Sequence, residues 1–90
     1  MDTGLPRLPD SQRLNGSDLK LVRLASGLPQ AEIVERVRRE GRLRLTQSYL
    51  SQLENGIETA RPRTLAVIRG CIELILVERL AEVRRLLAKH

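Results

Sequence analysis

The sequence predicts an all-α fold: a compact domain of four to five helices with an extended C-terminal helix. Three observations predict it. From Leu65 to Leu87, apolar residues recur at three- and four-residue steps, at Leu65, Ile68, Ile72, Leu76, Leu80, Val83 and Leu87. That is the spacing of one helix face. Gly27, Pro29, Gly41 and Gly56 fall where such stretches stop and start, as helix boundaries require. Hydrophobic residues make up 41% of the 90 residues and aromatics 1%, so one small aliphatic core is expected.

Each element follows in order. Residues 1–16 contain Gly4, Pro6, Pro9, Asn15 and Gly16 without an apolar period, and read as a flexible arm carrying Arg7 and Arg13. Ser17 is the expected cap of a first helix running to about Ser26. Leu19, Val22, Leu24 and Ala25 form its apolar stripe, and Gly27 ends it. Pro29, favoured in a first turn, opens the second helix. Ala31, Ile33, Val34 and Val37 supply its buried side, and Gly41 stops it after Glu40. Gly41-Arg42-Leu43-Arg44-Leu45 is a basic connection with room for a short strand. Thr46 caps a third helix over 46–55, because its hydroxyl accepts a first-turn amide. Asn55-Gly56 suits the left-handed conformation at its end. Gly56 to Pro62 is a loop. From Arg63 to Lys89 only Gly70 interrupts the pattern. A glycine inside a helix costs about 1 kcal/mol, so one long helix fits, as does a break near residue 70. The expected organisation is an arm over 1–16, a domain over 17–76 and a C-terminal helix over 77–90, the expected contact for a second copy.

Composition restricts the function. The net charge is +5 and the isoelectric point about 10.6, which suits a polyanionic partner. Tyr49 is the sole aromatic, so base stacking, the device of single-strand and RNA binders, is nearly unavailable. Cys71 is the only cysteine and lies in an apolar stretch, so it reads as a core residue. His90 is the only histidine. One cysteine and one histidine do not make a zinc site, nor is a nucleophile–base pair in view. No cofactor, metal, small-molecule ligand or enzymatic activity is expected. The start, Met1-Asp2-Thr3-Gly4, lacks a secretory pattern. The run from Ile72 to Val77 is too short to span a membrane. A cytoplasmic protein is expected.

The third helix carries the functional signal. At about 100° per residue, Gln47, Ser48, Ser51 and Gln52 share one face, and Tyr49, Leu50 and Leu53 the other. A front of amides and hydroxyls without charge is unusual for a merely solvated face. Gln and Ser are side chains that hydrogen-bond base edges in a major groove.

Gly27-Leu28-Pro29-Gln30-Ala31-Glu32-Ile33 and Gln52-Leu53-Glu54-Asn55-Gly56, followed by Arg61-Pro62-Arg63, resemble the phage repressor and Cro type of helix-turn-helix domain, the XRE family. The resemblance covers residues 17–76. It implies that Gln30 bonds a phosphate and braces the recognition helix. It implies that Gln47, Ser48, Ser51 and Gln52 face bases, with Thr46 at the head of that helix, and that Asn55 and the backbone after it clamp a phosphate. Arg23 and Glu54 match a partly buried ion pair tying the first helix to the end of the third. Tyr49 is expected to pack, with its hydroxyl at the rim.

Two departures from the family stand out. Residues 38–45 replace a tight glycine turn and include Arg38, Arg39, Arg42 and Arg44. A longer connection of this kind is similar to an actinobacterial, nucleoid-associated branch of the family. Arg42 and Arg44 are expected to meet phosphates. The C-terminal helix also continues past the family's usual break, and its stripe of Leu76, Leu80, Val83 and Leu87 is the expected homodimer interface.

The function expected is a sequence-specific transcriptional regulator binding double-stranded DNA. It would act in the nucleoid, as a dimer on a palindromic operator, with helix 46–55 in the major groove. A nucleoid-associated protein of weak sequence preference is the alternative, as is an antitoxin or controller protein of the same fold. A protein-interaction module of this fold would more naturally carry Leu, Met or aromatic residues where Gln and Ser stand.

Overall fold

A computed structural model describes residues 15–89. Among the described residues the fold is all-α. Four helices, α1 (Gly16–Ser26), α2 (Gln30–Arg36), α3 (Gln47–Glu54) and α4 (Pro62–Ala88), enclose one aliphatic core. Residues 1–14 of the expected 1–16 arm lie outside the described residues, as does His90.

Helix α1 starts earlier than Ser17. Asn15 is its cap, accepting from the Asp18 amide while the Asp18 carboxylate accepts from the Asn15 amide, 2.9 and 3.0 Å. This reciprocal box satisfies two otherwise orphaned donors, which Ser17 alone would not. Asn15 and Gly16 therefore belong to the helix rather than to the arm. The expected stripe of α1 is also corrected. Leu19 is buried, but Val22, Leu24 and Ala25 are exposed. The inward row is Gly16, Leu19 and Arg23, one turn apart. α1 meets α3 so closely at Gly16 that a Cβ there would lie 1.9 Å from the Leu53 carbonyl oxygen. Gly27 ends α1, as expected, and does so with a left-handed φ of 71°.

In α2, Ile33 and Val34 are buried, and Val37 follows them into the core, while Ala31 is exposed. Pro29 is the residue before the helix, not its first turn. The helix then widens into a π-helical turn, Val37–Gly41. Much of the longer connection is thus a continuation of α2. Gly41 backs onto α4, and a Cβ there would meet the Val67 Cγ1 atom at 2.6 Å. Arg42 takes a left-handed φ of 55° and redirects the chain. No strand forms among the described residues. The segment alternates instead: Arg42 and Arg44 are exposed, Leu43 is half-buried and Leu45 is buried.

Helix α4 is continuous through Gly70 for 27 residues. Its first half is core: Ile68, Cys71, Ile72 and Ile75 are buried, and Leu76 is half-buried against them. Beyond Leu76 every described residue is exposed. Arg36, near the end of α2, joins the turn to this helix by bonding Glu40 at 3.1 Å and Glu78 at 2.6 and 2.8 Å. Among the described residues no helix is long and apolar enough to cross a membrane.

Candidate nucleic-acid interface

Helix α3 is held from behind. Leu50 and Leu53 are buried, and Tyr49 is half-buried with its hydroxyl donating to the Thr59 carbonyl at 3.3 Å. The Thr46 hydroxyl accepts from the Tyr49 amide at 3.1 Å, the expected cap. Asn55 and Gly56 (φ 74°) close the helix, and the amides of Ile57 and Glu58 both bond the Gln52 carbonyl. On the front, Gln47 and Ser48 are exposed, and Ser51 and Gln52 are half-exposed.

A chain of hydrogen bonds runs from the core to this front. Glu54 is 3% exposed. Arg23 donates to it twice, Nε to Oε2 at 2.7 Å and Nη2 to Oε1 at 2.9 Å, and once to the Leu28 carbonyl at 3.0 Å. The carboxylate holds Arg23 above the usual arginine value, chiefly through this hydrogen bond, while burial opposes the rise. Gln30 Nε2 donates to the same Glu54 Oε1 at 3.0 Å, and Gln47 Nε2 donates to Gln30 Oε1 at 3.4 Å. A carboxylate only accepts. It therefore fixes which end of Gln30 points inward, and the outward carbonyl fixes the Gln47 amide in turn. Among the described residues, the other Gln47 N–H and its carbonyl have no partner.

The Asn55 side chain is occupied within the fold. Its Nδ2 donates to the Ser51 carbonyl at 2.9 Å, and its Oδ1 accepts from the Lys20 ammonium at 2.9 Å. The cation beside the end of α3 is thus Lys20, which the sequence did not single out. It lies 35 residues from Asn55, and only the packing of α1 on α3 joins them.

The arginines fall into two sets. Arg23, Arg36, Arg69, Arg79 and Arg85 each engage a carboxylate, Arg79 with Glu32 and Arg85 with Glu82. Arg38, Arg42, Arg44, Arg61, Arg63 and, far along α4, Arg84 are exposed and bridge to no carboxylate among the described residues. The first three follow α2. Arg61 and Arg63 open α4, two and four positions after the Thr59 that holds Tyr49. Arg39 has a loose contact with Glu35, 3.9 Å. An open cleft of about 730 Å³ separates the π-helical turn from the head of α3, lined by Ala31, Val34, Glu35, Arg38, Arg39, Thr46 and Gln47. The amide and hydroxyl front thus has unbridged cations before and after it in the chain.

Of the expected dimer residues, Leu80, Val83 and Leu87 are 52, 50 and 68% exposed, whereas Leu76 lines an apolar groove with Leu19, Val22 and Ile72. Cys71 is buried; burial pushes its thiol up, with Glu40 adding to the rise and Arg36 opposing it. No protein-family model, curated protein or solved structure matches this chain.

Proposed function

We propose that the chain is a sequence-specific regulator that binds double-stranded DNA with α3 in the major groove, as a dimer on a palindromic site. The observation that carries this is the uncharged, hydrogen-bonding front of α3, with exposed arginines before and after it in the chain that bridge to no carboxylate among the described residues. Amides and hydroxyls on a short helix match base edges. Unpaired guanidiniums match phosphates, which position a protein without reading sequence. The resemblance to phage repressors assigns base contact to the same α3 residues, Gln47, Ser48, Ser51 and Gln52.

Gln47 has the sharpest role. With one N–H committed to Gln30, it offers a second N–H and a carbonyl. That pair matches adenine N7 and N6. Arg42, Arg44 and Arg38 serve phosphates on one flank, and Arg61, Arg63 and Lys20 are placed for others.

Selection of bound sites from random duplexes tests this reading, and a palindrome with a fixed adenine in each half-site is expected. Gln47→Ala should then cost about 1–3 kcal/mol at the selected site and relax preference at one position. Arg42→Ala and Arg44→Ala should weaken all duplexes alike and flatten the salt dependence by about one unit each. Equal loss on every sequence for Gln47→Ala would refute base reading by α3. The number of unbridged arginines favours one second reading, a nucleoid-associated protein in which phosphate contact dominates. It predicts a steep salt slope and no selected consensus.

A further inference from the structure

Beyond Leu76, α4 is joined to α2 by the ion pairs of Glu78 with Arg36 and Arg79 with Glu32, yet every described residue there is exposed. Val77, Leu80, Val83, Leu86 and Leu87 are all between 48 and 68% exposed. Helices in proteins owe most of their stability to packing an apolar face, and among the described residues nothing buries the apolar side chains of this stretch. Its pattern says what it fits. Leu76, Leu80, Val83 and Leu87 step by four, three and four residues, the alternation that keeps a seam facing another helix in a coiled coil. At its inner end the seam runs into an apolar groove of about 130 Å³ between α1 and α4, rimmed by Val22, Arg69, Glu73 and Leu76.

We infer that the seam joins two copies of the chain with their α4 helices antiparallel, Leu80 of one against Val83 of the other. Charge selects the direction. Glu73 lies on the same seam, three residues before Leu76. A parallel pair would set it against Glu73 of the second copy, and would bring Arg79 beside Arg84 across the flanks. The antiparallel pair separates both sets of like charges. It brings Glu73 to the basic end of the other helix at Lys89, and opposes the two helix dipoles. It also lays Leu87 of the second copy against Leu76, at the mouth of the groove beside Val22.

The buried residues of α4 centre about 10 residues before the middle of this seam, or about 15 Å at the helical rise. The two cores would stand about 30 Å apart along it, close to the separation of half-sites one DNA turn apart. That correspondence rests on the DNA reading proposed above; the interface does not.

Sedimentation equilibrium of the full chain at micromolar concentration tests the interface. Wild type is expected as a dimer, and Leu80→Asp and Val83→Asp as monomers. Continued protection of Cys71 from thiol reagents would show that their cores remain folded. Leu74→Asp, exposed but off the seam, should stay dimeric. A monomeric wild type, or a dimer that survives both seam variants, would overturn the interface. Direction is read by oxidising cysteine variants. A mixture of Leu80→Cys and Val83→Cys should cross-link 80 to 83, and neither alone should cross-link comparably. Efficient self-cross-linking of either would overturn the antiparallel arrangement. An intact dimer that binds no duplex would refute the DNA reading and leave the interface standing.

Discussion

Removing the Glu54 carboxylate strands the Arg23 guanidinium, whose side chain is 13% exposed. Breaking a buried pair from one side costs about 3–5 kcal/mol. Arg23 keeps its bond to the Leu28 carbonyl and some solvent, so Glu54→Ala should lose about 3 kcal/mol in urea unfolding, the low end of that range. Glu54→Gln is the finer test. It leaves Arg23 an oxygen but frees Gln30 to turn its amide over. Its expected outcome is loss of adenine preference at the Gln47 position with affinity for unrelated duplexes unchanged. Retained preference would mean that the chain of bonds does not orient Gln47. Two glycines differ in the same graded way. A methyl at Gly16 meets backbone, the Leu53 carbonyl, whereas one at Gly41 meets the Val67 side chain. Overpacking costs about 1–3 kcal/mol; Gly16→Ala should sit at the top of that range and Gly41→Ala near the bottom. Both are measured from the shift in urea midpoint.

Among the elements, α3 was the most legible in the sequence. Its cap, stop and two faces are all local, and each is decided by residues within one or two turns. Thr46→Ala should accordingly cost about 1 kcal/mol, read from thermal unfolding, through the lost bond to the Tyr49 amide. The Arg23–Glu54 pair was legible too, but only through the family resemblance, since 31 residues separate the partners. Helix α1 was harder. Ser17 and Asn15 are both good caps, and Asp18, three residues after Asn15, is the partner that decides between them. Its stripe misled because α1 offers α3 a glycine and a paired arginine rather than a row of aliphatics. The π-helical turn has no local signature in Val-Arg-Arg-Glu-Gly. It depends on how near Gly41 can come to Val67, which is a property of tertiary packing.

For the molecule as a whole, the two sets of arginines separate holding from waiting. Arg36 ties α2 and its π-helical turn to α4 and keeps the Glu78 carboxyl below the ordinary carboxylate range, first through their hydrogen bond. A depressed carboxyl stabilises the fold above its unfolded value, and that contribution is lost as pH falls through the folded value. Thermal scans on the acid side should therefore show a fall in stability that Glu78→Gln reduces; an identical fall in the variant would place the titration elsewhere. The unbridged set stabilises nothing in this way, so Arg42→Ala and Arg44→Ala should leave the unfolding midpoint unchanged. Helix α3 shows the same division across its own width. Leu50, Leu53 and Glu54 bear its mechanical burden from behind, while Gln47, Ser48, Ser51 and Gln52 lie outside the core. Such a helix is free to drift on one side only. A library randomised at those four positions should contain nearly as many soluble, cooperatively melting members as the parent background allows, each with a different front on an unchanged scaffold.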